Sequence, residues 1–76
     1  MNDQFEVQEE YEFYLSAIEM AKFYFGEFDD VDAVSVEVLE GVKRRNYAVI
    51  KNDRVQATFS IYHYNDGRMP EIEFSE

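Results

Sequence analysis

The sequence predicts an α+β fold in which one N-terminal amphipathic helix packs on a three- to four-stranded antiparallel β-meander. Two patterns predict it. Apolar residues recur at three- and four-residue steps in the first third of the chain, the period of a helix, and at alternate positions in the second half, the period of a strand. Turn-forming residues separate the alternating runs, so we expect tight connections between strands. A chain of 76 residues is expected to form a single domain.

The predicted helix covers residues 5–26. Gly26 is placed to end it, because a glycine commonly follows the last helical turn, and acids in the first turns suit the positive end of the helix dipole. The side of the helix expected to face the core carries Tyr11, Tyr14, Leu15, Ala17, Ile18, Ala21 and Phe25.

A second apolar stripe of the same helix, formed by Phe13, Met20 and Tyr24, points away from that core side. One sheet is not expected to cover an apolar arc this wide. Two interpretations are open: the stripe is a homodimer interface, or the N-terminal segment with Phe5 and Val7 folds back over it.

An acidic connector, residues 27–33, precedes the first predicted strand, residues 34–39. The alternation of Val34, Val36 and Val38 with other residues favours a strand, because β-branched residues at every second position are typical of one. Valines at 31, 34, 38 and 42 also lie at helical steps, so a second helix ending near residues 43–45 is the alternative.

Two predicted strands, residues 46–51 and 54–64, flank Asn52-Asp53, which is typical of a hairpin with a two-residue turn. In the expected register, three pairs lie opposite each other: Lys51 and Arg54, Ile50 and Val55, Ala48 and Ala57. The inward side chains of the long strand are then Val55, Ala57, Phe59, Ile61 and His63, and the outward ones are Gln56, Thr58, Ser60, Tyr62 and Tyr64.

The last predicted strand, residues 70–74, pairs Ile72 with Ile61 and Phe74 with Phe59, which leaves Glu71 and Glu73 on the outer side. Pro70 and the two glutamates mark it as an edge strand protected against further pairing.

The charge is negative and unevenly distributed. Residues 1–40 hold twelve acids and one base, a sum of −11, whereas residues 41–76 hold five acids and six bases, a sum of +1. This field repels phosphate backbones and anionic membranes and attracts cations, so we expect a basic protein partner and no direct contact with nucleic acid or membrane. The acidic N-terminus lacks the positive charge of a signal peptide, so a cytoplasmic location is expected.

Residues for catalysis are few, and we expect the protein not to be an enzyme. His63 falls on the inward face, where a hydrogen-bonded structural role is expected, and no serine or cysteine stands at motif spacing from it. Asp29, Asp30 and Asp32 do not follow the order of a calcium-binding loop. We therefore expect no catalytic residue, metal or cofactor.

Tyr47, Tyr62 and Tyr64, expected on the outward face of the sheet, resemble in kind the aromatic platforms that stack single-stranded bases. Such platforms are accompanied by positive charge, which is sparse here. A tyrosine-rich face with polar edges also suits a protein interface.

The function that the sequence favours is a stoichiometric inhibitor of a basic nucleic-acid-handling protein, with carboxylates occupying sites that phosphates would fill. In size, charge and α+β build, the chain is similar to phage-encoded anti-CRISPR and anti-restriction proteins, a likeness of composition. The alternative is a homodimeric adaptor joined through the helix stripe, with no link to nucleic acid. The partner-binding residues expected are Glu27, Asp29, Asp30, Asp32, Glu37, Glu40, Phe13, Met20, Tyr24, Tyr47, Tyr62 and Tyr64.

Overall fold

The structure is a computed structural model that describes residues 3–75 and the side chains of residues 9–75. A helix, α1, is followed by four strands that form one antiparallel sheet in the order β1-β2-β3-β4. The predicted fold class, a helix on an antiparallel meander, is confirmed. The elements are α1 (Asp3–Phe25), β1 (Asp30–Leu39), β2 (Val42–Lys51), β3 (Arg54–Tyr64) and β4 (Glu71–Ser75).

The core lies between α1 and one face of the sheet. Ala17 and Ala21 are buried where the helix crosses the strands, and these small side chains allow a close approach. From the sheet, the core receives Val31, Tyr47, Val49, Phe59 and Ile61.

Two residues expected in the core are exposed: Tyr11 is 58% and Leu15 is 43% exposed. The core side of α1 is centred on Ala17 and Ala21, and Leu15 lies roughly 200° around the helix from Ala17 at 3.6 residues per turn. Met20, expected in the outward stripe, packs against the core instead.

The segment after α1 is a strand, so the alternative of a second helix over residues 31–45 is wrong. β1 begins at Asp30, earlier than predicted, because Val31 is buried opposite Val49. A register shift between Ala33 and Ser35 marks a β-bulge at Val34.

The β2–β3 hairpin has the predicted two-residue turn, with positive φ at Asn52 (55°) and Asp53 (61°), as a primed turn requires. The pairs Lys51↔Arg54 and Ile50↔Val55 are confirmed, but the predicted pair Ala48↔Ala57 is wrong. A β-bulge leaves Gln56 as an extra residue on β3, so Ala57 pairs with Val49.

The bulge turns Tyr47 towards the core. Tyr47 pairs with Phe59, is 2% exposed and stacks on the Phe59 ring with centroids 5.5 Å apart. Its predicted position on the outward face is therefore wrong.

β4 pairs with β3 in the predicted register, with Phe59 opposite Phe74 and Ile61 opposite Ile72. Over residues 3–75, the structure contains no helix with the length and apolar character that a membrane crossing requires.

Candidate interaction surface

Arg45 joins α1 to the sheet. Alternation along β2 places its side chain on the same face as Tyr47 and Val49, under the helix, where it is 1% exposed. Its Nε and Nη2 donate to the two carboxylate oxygens of Glu10 at 2.9 and 2.8 Å, and Nη2 also donates to Glu9 at 3.2 Å. This forked bond holds the pKa of Glu10 below its usual value.

His63 and Phe13 also contact Arg45, and these two residues together with Arg45, Glu9 and Glu10 form what we call the Arg45 junction. Nη1 of Arg45 lies 3.1 Å from Nδ1 of His63, and because a guanidinium only donates, Nδ1 accepts and the ring is neutral. Burial, and then the nearby Arg45, lower the pKa of His63. The Phe13 ring lies 3.9 Å from the guanidinium carbon and 4.0 Å from the His63 ring centroid. His63 thus has the inward, hydrogen-bonded position predicted for it.

The helix stripe makes contacts within the chain. Phe13 belongs to the Arg45 junction and Met20 packs on the core. The Tyr24 ring lies 4.6 Å from that of Phe74 but remains 53% exposed. Phe5 and Val7, expected to fold over this stripe, lie outside the side chains that the structure describes.

The outer sheet face carries a polar network centred on Arg44. Arg44 donates to Ser60 at 3.2 Å, lies 3.4 Å from Glu37 and 3.9 Å from Glu73, and stands 5.6 Å from the Tyr62 ring centroid. Asn46 extends it by donating to Glu37 at 2.9 Å. Because of these contacts, the charge of Glu37 is largely balanced within the fold.

The two tyrosines that do face outward have their hydroxyls occupied. Tyr62 donates to Glu73 at 2.8 Å and Tyr64 donates to Glu71, and each bond raises the pKa of its phenol. Arg68 covers the Tyr64 ring at 4.5 Å. Both rings are half-buried in this network, so less of each is exposed than an open stacking platform needs.

The acids expected to bind a partner fall into two groups along β1. Glu27, Asp29, Asp30 and Asp32 lie before or at its start, and Glu37 and Glu40 lie near or just beyond its end. Within the strand, Asp30 and Glu37 are roughly 23 Å apart at 3.3 Å per residue. The acids of the two groups do not form one compact patch.

Some of these acids have structural roles. Asp29 accepts the backbone N–H of Asn52 at 2.7 Å and so ties the β2–β3 turn to the start of β1. Asp30 accepts from its neighbour Val31 at 2.8 Å and from the Tyr14 hydroxyl at 3.3 Å.

Over residues 9–75, no hydrogen bond or ion pair reaches the exposed carboxylates of Glu27, Asp32, Glu40 and Asp53. These side chains are available to a partner.

A row of exposed valines lies on β1. Nine of its ten residues are exposed, and Val34, Val36 and Val38 are 61%, 46% and 77% exposed. The strand itself follows from the sequence, but its valines are not among the expected partner-binding residues. The exposure of this strand could be predicted, because the first strand of a meander has a neighbour on one side and so forms an edge of the sheet.

A groove of ≈320 Å³ separates this edge from the helix. Glu10 of α1 lines one part of the groove, and Arg45, Asn46 and Tyr47 of β2 line another. The β1 residues that line it are Ala33, Val34, Ser35 and Val36.

The side chains of residues 9–75 contain no group of three His, Asp or Glu residues placed to hold a metal ion. No family model, no curated protein and no solved structure matches the chain. The fold therefore defines the class, a helix on a four-stranded antiparallel meander, and the surface residues are what indicate a function.

Proposed function

We propose that this protein is a non-enzymatic acidic binding protein that acts as a stoichiometric inhibitor of a basic, nucleic-acid-handling protein. The observation that carries the proposal is the set of exposed carboxylates at Glu27, Asp32, Glu40 and Asp53 that has no partner over residues 9–75.

The charge balance supports it. Five of the seven bases form ion pairs within the fold: Lys22, Lys43, Arg44, Arg45 and Arg68. Of the seven bases, Lys51 and Arg54 have no ion pair among residues 9–75, and with all seven counted the net charge is still −10. A field of this sign attracts a cationic surface and speeds the encounter with it.

A nucleic-acid-handling protein is the partner class that suits these groups. Its lysines and arginines are arranged for phosphate oxygens, and carboxylates satisfy the same donors. Because the acids lie at both ends of β1, they would contact an extended cationic surface better than a single pocket. Inhibition by nucleic-acid mimicry, as in anti-CRISPR and anti-restriction proteins, is the mode of action we propose.

The alternative function, a homodimeric adaptor joined through the helix stripe, has less support. All three of its residues, Phe13, Met20 and Tyr24, already make contacts inside the chain, and of these Tyr24 is 53% exposed.

The test is capture of host proteins on the immobilised chain, followed by titration of the purified partner. We expect a cationic protein whose affinity falls as salt is raised and which duplex DNA displaces. Asp32→Lys and Glu40→Lys should each weaken binding about tenfold, the effect of roughly 1.4 kcal/mol. These positions are preferable to Asp29 and Asp30, whose hydrogen bonds hold the fold.

Glu19→Lys is the matched control, because it makes the same charge change on an exposed helix position. Among residues 9–75, the ion pair of Glu19 is the exposed one with Lys22. If the affinity for the partner is unchanged by salt, by duplex DNA and by both test substitutions, the proposed function is wrong.

A further inference from the structure

β1 is an unprotected sheet edge. It is ten residues long, and over residues 3–75 no strand pairs with the side turned away from β2. Alternate residues of such a strand direct their N–H and C=O groups outward, which is a template for another strand. The opposite edge differs, because β4 has five residues, follows Pro70 and carries Glu71 and Glu73.

The two faces beside this edge differ in chemistry. On the helix side lie the groove and the exposed valines Val34 and Val36. The helix adds apolar surface there, since Tyr11 is on the same helix face as Tyr14, whose hydroxyl reaches Asp30 of β1. On the outer side of the sheet lie Asp32 and Glu37, since Asp32 pairs with Ala48 and Glu37 with Arg44.

The charge of the edge distinguishes between occupants. Residues 30–40 contain four acids, Asp30, Asp32, Glu37 and Glu40, and no base. A second copy paired antiparallel on this edge would set four acids against four acids, and like charges on facing strands are destabilising. A basic strand would face the same acids favourably.

We propose that β1 is a docking strand for an extended basic segment of a partner protein, which adds to the sheet as a fifth strand. The inference rests on the proposed function, because it specifies how a cationic partner is held. Backbone hydrogen bonds supply affinity, and alternate side chains supply specificity. Apolar side chains of the segment enter the groove beside Val36, and its lysines or arginines meet the unpaired carboxylate of Asp32.

The experiment is an NMR titration of the ¹⁵N-labelled chain with a short, end-blocked peptide of alternating Lys and Val. We expect amide shift changes confined to β1, its partner β2 and the groove-lining turn of α1, with an affinity that falls as salt is raised. A peptide of the same sequence with N-methylated amides on its hydrogen-bonding edge keeps the charge and loses the donors. It should bind at least tenfold more weakly.

Val38→Lys tests the edge in the protein, because an edge lysine repels a cationic strand and opposes pairing. Val55→Lys, at a valine 61% exposed on β3, is the matched control. Val38→Lys should weaken peptide binding at least fivefold, and Val55→Lys should leave it within twofold.

Three results would overturn the docking strand. Equal binding of the N-methylated peptide would show charge attraction without strand addition, and would leave the proposed function standing. Shift changes that avoid β1, or no change at millimolar peptide, would remove β1 as the site. A dimer in sedimentation with shift changes along β1 would assign the edge to a second copy.

Discussion

Arg45 is the residue on which the junction of helix and sheet depends. Removing a charge from water costs several kcal/mol unless paired hydrogen bonds replace its hydration. Here Glu9 and Glu10 supply carboxylate oxygens, His63 supplies a ring nitrogen and Phe13 supplies the face of its ring. Over the described side chains, no buried nitrogen or oxygen lacks a hydrogen-bond partner.

Stability should fall on acidification, beginning with His63. Its pKa is lowered in the fold below the usual 6.5, which applies to the unfolded chain. At a pH between the folded and the unfolded pKa, the unfolded chain binds a proton and the folded chain does not, so acidification favours unfolding. Further acidification protonates Glu10, whose folded pKa lies below 4.5, and the bond to Arg45 is lost. The charged groups around His63 are Glu9 and Glu10 on α1 and Lys43 and Arg45 on β2.

Urea unfolding between pH 8 and pH 4 measures this. His63→Gln keeps an acceptor for Arg45 but does not titrate, so its free energy of unfolding should stay level from pH 7 to pH 6, where that of the wild type declines. The fall at lower pH should remain in the variant. Parallel curves for the two proteins from pH 7 to pH 6 would contradict the prediction.

At the scale of elements, the sequence predicts the features that depend on local apolar periodicity and on turn residues. The strand at residues 54–64, the Asn52-Asp53 turn and the pairing of Phe59 with Phe74 follow from apolar spacing and turn chemistry, and the structure has all three. The predicted inward position of Val55 is wrong, because Val55 lies before the bulge and is 61% exposed. The position of a β-bulge cannot be predicted from apolar spacing or turn residues. The extra residue, Gln56, shifts the β2 register by one position and moves Tyr47 from the outer face to the core.

The same shift explains why Arg45 was missed as a structural centre. The predicted strand begins at residue 46 with Tyr47 facing outward, so it does not place Arg45, which precedes it, under the helix. Once Tyr47 and Val49 are known to face inward, alternation places Arg45 under the helix. The exposure of β1 was also unpredictable in detail, because it depends on how far α1 extends across the sheet.

The β2–β3 turn can be stabilised at Asp53. Its φ of 61° is a left-handed conformation that glycine adopts without steric cost, and Asn-Gly is the preferred pair for this turn. Asp53→Gly should raise the free energy of unfolding by about 0.5 kcal/mol, and Asp53→Val, a β-branched residue at positive φ, should lower it by about 1 kcal/mol. Urea unfolding of both variants checks the order, and equal stability of the two would contradict the expected turn geometry.

For the whole molecule, the net charge of −10 opposes compactness. Arg45 is buried and its partners Glu9 and Glu10 are half-exposed, so salt screens these ion pairs less than it screens repulsion among fully exposed acids. The melting temperature should therefore rise from low to about 0.5 M NaCl. A gain near 1 kcal/mol corresponds to about 4–8 °C for a domain of this size.

Scanning calorimetry in NaCl measures this effect. The variant Glu27→Lys with Asp32→Lys changes the net charge by four, from −10 to −6, and should gain less from salt. A melting temperature that falls as NaCl is added would mean that the internal ion pairs outweigh the repulsion.

The Arg45 junction also bears on how the chain unfolds. Its bonds join residues 35 and 36 positions apart, so they close a loop that contains β1 and the start of β2. A sheet that had lost its helix would expose core residues such as Tyr47, Val49 and Phe59 and would lose the bonds of Arg45 at the same time, so a partly open state of that kind is high in free energy. Helix and sheet should consequently lose their structure in one cooperative step, although nine of the ten residues of β1 are exposed.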